Sequence, residues 1–104
     1  MKRGEVWWAN IPQPIGRRPV LLLSRNAAYP VRSSVTVAPI TRTVHEIPVE
    51  VRLGPEDGLP RDCVANLDNI VTVSKKRLDR SLTTLSPEKM RSIEQAIKFA
   101  LDLR

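Results

Sequence analysis

The side chains that most enzymes rely on are scarce in this chain. It has one histidine (His45), one cysteine (Cys63) and four scattered glycines. A lone histidine has no partner for an acid–base pair. No Cys/His/carboxylate cluster has metal-site spacing, and no glycine-rich loop is present to cradle a phosphate. What remains is the chemistry of arginines, hydroxyls, backbone amides and isolated carboxylates. Three segments concentrate it. Gly16-Arg17-Arg18-Pro19-Val20 sets two arginines at a loop–strand junction. Pro39-Ile40-Thr41-Arg42 ends a strand with a hydroxyl and a cation, and Asp68-Asn69 sits inside the apolar stretch Val64 to Val73. Each also has a plain structural explanation: a solvated edge pair, a threonine capping backbone, and a half-buried polar pair that needs hydrogen-bond partners.

One reaction suits arginine and hydroxyl groups without a metal. RNA carries its own nucleophile, the 2′-OH, beside each phosphate. A protein can accelerate attack by holding the in-line geometry and neutralising charge on the phosphorane oxygens. Arginine forks do the second, and a threonine hydroxyl can donate one more hydrogen bond. The charge balance agrees: 17 Lys+Arg against 11 Asp+Glu give +6, and arginine supplies twelve of the seventeen. With an isoelectric point near 10.3, a polyanionic partner is expected. Aromatics at 4% argue against binding dominated by bases stacked on an aromatic platform.

These residues must be positioned by a mainly β (α+β) fold. Glu5–Ile11 reads as a first strand, broken by Pro12, Pro14 and Gly16. Arg18–Ser24 is apolar on both faces and so central. Asn26–Ser33 is loop, Val35–Thr41 a third strand, and Ile47–Leu53 a fourth. In the fourth, Val49, Val51 and Leu53 alternate against Glu50 and Arg52, which predicts one buried and one wet face. Gly54–Pro60 is a turn-rich loop, and Cys63–Val73 is one long strand or two short ones. Lys75–Leu78 is a short turn and Ser81–Thr84 a last strand. Ser86-Pro87-Glu88 is a helix start: hydroxyl cap, proline at the first position, acid in the first turn. Met90, Ile93, Ile97, Ala100 and Leu101 recur at helical spacing, so the helix is expected to reach about Leu103. Short strands and one terminal helix predict a small closed or half-closed barrel, a single domain over residues 1–104. Trp7 and Trp8 are adjacent on a strand and point to opposite faces, one toward the core and one toward a surface. His45 is a solvated loop residue, and Cys63 a small buried one.

Taken in order, the segments resemble the MazF/PemK toxins. Lys2-Arg3-Gly4-Glu5-Val6-Trp7-Trp8 is similar to the family's opening, and Arg18-Pro19-Val20-Leu21-Leu22-Leu23-Ser24 to its R-P-V strand. Val37-Ala38-Pro39-Ile40-Thr41 resembles its V-x-P-x-T strand, and Gly58–Ile70 its G-L segment, which ends in an acid–amide pair. The ending Leu85-Ser86-Pro87-Glu88 and the final helix match too. The resemblance implies an SH3-like barrel, a homodimer and a cognate antitoxin. It also implies metal-independent cleavage of single-stranded RNA, leaving a 2′,3′-cyclic phosphate with no cofactor. By the same resemblance Arg18 and Thr41 carry catalysis, and Asn69, with Asp68 beside it, contributes to base recognition. Arg17 and Arg42 join them as RNA-binding candidates. The segment Pro12–Arg17 is shorter than the corresponding family loop.

The single cysteine allows no internal disulfide and favours the cytoplasm. No apolar run reaches the ~20 residues of a membrane span, so no membrane partner is expected. Two other functions fit a barrel of this kind: a gyrase poison like CcdB, and a non-catalytic RNA-binding barrel. Charge generates a first test. Affinity for single-stranded RNA is expected to fall steeply from low to physiological salt, through counterion release. Binding that stays flat across that range would favour a protein target.

Overall fold

The computed structural model describes residues 1–104. Its strands are β1 (Glu5–Ile11), β2 (Gly16–Leu22), β3 (Ser34–Thr41), β4 (Glu50–Leu53), β5 (Cys63–Asn66), β6 (Val71–Ser74) and β7 (Leu78–Thr84). One helix, α1 (Pro87–Ala100), follows. The strands form one antiparallel sheet in the order β4-β5-β3-β2-β1-β7. β5 and β6 share the edge of β3 that faces away from β2: β6 pairs with Ser34–Val37, β5 with Ile40 and Thr41. The 3-10 turn Leu67–Asn69 separates them, so Cys63–Val73 is two short strands rather than one.

The chain is mainly β with a C-terminal helix, as its sequence predicts, but the sheet does not close. β4 and β7 each have a single neighbour. Helix α1 covers the open side instead, packing beside β4 and the Leu67–Asn69 turn. Edge β4 is short, and Lys89 Nζ donates to the Arg52 carbonyl at 3.1 Å; brevity and lysine both discourage further strand addition.

Several boundaries differ from the sequence reading, the larger ones for local reasons. β2 starts at Gly16 and ends at Leu22 because the hairpin pairs Ile11 with Gly16. Leu23 then leaves the strand, and Ser24 Oγ accepts from the Thr36 amide at 2.9 Å. β4 starts at Glu50 rather than Ile47, since the Glu50 carboxylate accepts from the amides of His45 and Glu46 and holds a turn there. β7 starts at Leu78, not Ser81; as an edge strand it tolerates the exposed Asp79 and Arg80. The helix stops at Ala100, one turn early, and Leu101 is 56% exposed instead of packed. Its start is as read: Ser86 Oγ accepts from the Lys89 amide, with Pro87 in the first turn.

Two hydrophobic clusters lie on opposite faces of the sheet. Val6, Leu21, Ala38 and Ile40 meet Val51, Leu53 and Ala65 from the other strands, and Ile93 and Ala96 from the helix. Ala9, Val20, Leu22, Val35 and Val37 form the second with Tyr29, Val73 and Leu78. β2 and β3 therefore feed both clusters by alternation, which explains why they read as apolar on both faces. Val49, Val51 and Leu53 are buried while Arg52 is exposed, as their alternation predicts. Trp7 packs against the second cluster and Trp8 lies on the other face.

The Gly54–Asp62 loop folds back onto the sheet through Gly58, which sits at φ +89°, and a Cβ there would collide with the Thr83 side chain. Both strain and clash oppose any other residue. Gly58→Ala is expected to cost on the order of 1–3 kcal/mol, read as a lower urea midpoint at unchanged slope. A midpoint equal to that of the unsubstituted protein would show that the loop is free to move away.

Candidate active site

The β2–β3 ladder runs from Leu22–Val37 to Val20–Pro39 and stops. Pro19 and Pro39, neither able to donate an N–H, sit at this end. Continuing the register would set Arg18 opposite Thr41. An opening forms there instead, a cleft of about 490 Å³ whose lining includes Trp8, Arg17, Arg18, Thr41, Arg42 and Arg61. Cys63 lies at its buried side. Four arginines and no carboxylate line it.

Arg18 is half-buried. Its Nη2 donates to the Ile15 carbonyl, and its buried Nε has no partner. No carboxylate pairs with it. Nη1 and the second Nη2 hydrogen therefore remain for an anion in the cleft. Thr41 Oγ1 accepts from the Thr43 amide at 3.3 Å, which leaves its own hydrogen free to donate. Arg17 is restrained quite differently. Nη1 lies 2.8 Å from Asp79 Oδ2 and 3.0 Å from Asn10 Oδ1, and the guanidinium sits over the Trp8 ring, 5.2 Å from its centroid.

The structure thus brings Arg17, Arg18, Thr41 and Arg42 together. Strand alternation alone would send Arg17 and Arg18 to opposite faces. Both reach the cleft because the ladder has ended, and the gap admits side chains from either face. Asp68 and Asn69 are not in the lining. They occupy the exposed 3-10 turn between β5 and β6, where the Asp68 amide donates to Asn66 Oδ1 at 2.9 Å. They are solvated rather than half-buried, because the turn carries them off the strand. Arg61 was not singled out by the sequence; it lies in a turn-rich loop, and only the fold-back at Gly58 puts a cation there. His45 is exposed, as expected. No group of three His, Cys, Asp or Glu side chains is arranged to hold a metal ion, and no helix is long and apolar enough to cross a membrane.

Fold and cleft define a small, mainly β protein with an arginine-lined cleft at the end of its central ladder. The family model of PemK-like, MazF-like toxins of type II toxin–antitoxin systems matches residues 2–101. The probable endoribonuclease MazF5 of Mycobacterium tuberculosis is 44% identical over 101 residues, 96% of this chain and 92% of that protein. The probable endoribonuclease MazF2 of the same species is 37% identical over 99 residues, 94% of this chain and 95% of that one. Among solved structures, an endoribonuclease in complex with its cognate antitoxin from a mycobacterial species superposes at a TM-score of 0.89. It is 33% identical and covers 100% of this chain and 97% of its own. The chain belongs to the PemK-like, MazF-like toxin family.

Cys63 is the one thiol at the cleft, and it is buried. Its thiol is pushed up to about 11, first by burial and then by Asp57, Asp62 and Glu56 nearby, so it stays protonated at neutral pH. The folded protein holds this proton more tightly than the unfolded chain. Cys63 therefore contributes stability below its ordinary value of 9.0 that is lost as pH rises toward about 11. Between these pH values the urea midpoint of the unsubstituted protein is expected to fall further than that of Cys63→Ala. Parallel curves for the two would rule the effect out.

Proposed function

We propose that this endoribonuclease toxin cuts single-stranded RNA at the β2–β3 cleft by metal-independent transesterification. The observation that carries the reading is the pairing of an Arg18 fork free of any carboxylate with a Thr41 hydroxyl free to donate. Arg18 Nη1 and Nη2 meet two oxygens of the scissile phosphate, and Thr41 Oγ1 donates a further hydrogen bond. The RNA 2′-OH attacks phosphorus and loses its proton. The P–O5′ bond breaks, and the leaving 5′-oxygen takes a proton to become a 5′-OH. The other product ends in a 2′,3′-cyclic phosphate. The high pKa of arginine makes Arg18 a poor general base, so its part is charge stabilisation. Arg42 and Arg61 hold the flanking phosphates, and Arg17, paired with Asp79, contacts the RNA beside them. Asp68 and Asn69, on the exposed turn, are kept as candidates for base contacts outside the cleft. The relative solved with its cognate antitoxin supports an antitoxin partner for this chain, and we assign it a homodimeric state in the cytoplasm.

A gel assay on end-labelled RNA tests this reading. Discrete fragments are expected, and they should persist in excess EDTA. Arg18→Lys keeps the charge but loses the fork, so it should bind RNA and cut roughly 10²–10³-fold more slowly, the usual cost of one preorganised donor. Arg17→Lys should slow cutting far less, because Asp79 already offsets its charge. RNA with one 2′-deoxy residue at the cut should bind and stay whole. Wild-type cutting by Arg18→Lys, or cleavage at the deoxy position, would overturn the mechanism. Binding without any fragments would favour the non-catalytic barrel, and no RNA binding a gyrase-type target.

A further inference from the structure

Trp8 and Arg17 are more than cleft lining. Trp8 lies on β1, opposite Pro19 of β2 and Arg80 of β7. The Arg17 guanidinium is over its ring, and two side chains from two further strand positions fix it there. Asn10 Oδ1 holds Nη1 from β1, and Asp79 Oδ2 holds the same nitrogen from β7. The Arg17 side chain nevertheless remains 43% exposed. A charge needed only for phosphate contact would be left free of carboxylates, as Arg18 is. Arg17 is partly offset by Asp79, in a pair that solvent screens, and gains a fixed position on an aromatic ring. Planar, ordered, weakly cationic surfaces of this kind suit the π-face of an unpaired base, which stacks on aromatic rings and guanidinium planes alike. The position also fits, because Arg17 adjoins the residue assigned to the scissile phosphate, and a nucleotide's base lies next to its phosphate.

We propose that Trp8 and Arg17 form a stacking platform for one unpaired nucleobase flanking the cut, with Asn10 and Asp79 as positioning residues. The proposal rests on the RNA-cleavage reading of the same cleft. One ring serves one base, so the low aromatic content of the chain is no obstacle. The platform explains how a site whose charges contact only phosphates can still hold a base beside the cut.

The test measures binding rather than cleavage. The probe is a single-stranded RNA that carries the cut site mapped from wild-type fragments, with a 2′-deoxy residue at that bond. In a Trp7→Phe background Trp8 is the only tryptophan, and its emission is expected to be quenched on binding. Replacing one of the two bases flanking the cut by an abasic residue should abolish the quench and weaken binding roughly five- to hundredfold, the range for one base stack. The salt slope should not change, since every phosphate remains. Trp8→Leu should weaken binding equally and show no further loss with the abasic probe, whereas Trp8→Phe should restore most of the affinity and stay sensitive to the abasic change. Asp79→Asn should weaken binding of the intact probe and leave affinity for the abasic probe unchanged, whereas loss of a purely structural ion pair would affect both probes alike. Quenching and affinity indifferent to both flanking bases, with cutting intact, would overturn the platform and leave the cleavage reading standing. Absence of RNA binding at low salt would overturn both.

Discussion

The antiparallel ladder of β2 on β3 is the constraint on which the site depends. Val20, Leu21 and Leu22 face Pro39, Ala38 and Val37, and all six lie in the middle of the sheet. Alternation sends Leu21 and Ala38 into one cluster and Val20, Leu22 and Val37 into the other. A slip of one residue would exchange side chains between the two clusters, Leu21 for Val20 and Leu22 and Ala38 for Val37, and misfit the packing of both. Register here is therefore held by two cores, and so is the position of whatever follows the ladder. Arg18 and Thr41 follow it directly. Their approach is fixed by core packing rather than by loop conformation, which suits a site where small displacements are costly in rate.

The cleft then sets stability against function. Four arginines around one opening repel each other, and only Arg17 has a carboxylate of its own. Each remaining charge is tolerable because its head reaches solvent, but Arg18 has a buried, unpartnered Nε that no folding argument favours. Such a cost makes sense at a site that binds an anion, where the same concentration of positive potential draws the ligand in. Cys63 illustrates the reverse. Its burial and the acidic groups near it keep the thiol protonated at neutral pH beside the cleft.

Much of this was legible in the sequence, and the exceptions have physical causes. β1 and β3 were read almost to the residue because their alternation is bounded by proline, glycine and serine. The Ser86 cap and Pro87 gave the helix start, whereas its end carries no comparable signal and frays a turn early. Arg18 and Thr41 were reachable from residue type together with family resemblance. Their proximity was not, since it depends on where a ladder stops. Arg61 was invisible because a long loop folds back at Gly58. Asp68 and Asn69 were read as half-buried from an apolar neighbourhood, and a 3-10 turn placed them in solvent. Barrel closure was left between closed and half-closed, because strand count says nothing about whether the last edges meet or a helix covers the gap.

Arg17 and Arg18 bring these strands together. They are neighbours of identical chemistry, yet the fold gives them opposite conditions. Arg18 hangs from a single backbone carbonyl with its outer hydrogens free, so its whole charge is available to an anion. Arg17 is tied to β1 and β7 by Asn10 and Asp79 and rests on Trp8, so its charge has a carboxylate partner and its orientation is fixed. Charge without restraint serves a phosphorane, whose oxygens gain negative charge only as the reaction proceeds. Restraint with little net charge serves recognition, where a ligand binds more tightly to a surface that need not be ordered first. An arginine pair on a strand would ordinarily face two ways; ending the ladder beside it lets both serve one cleft in different capacities.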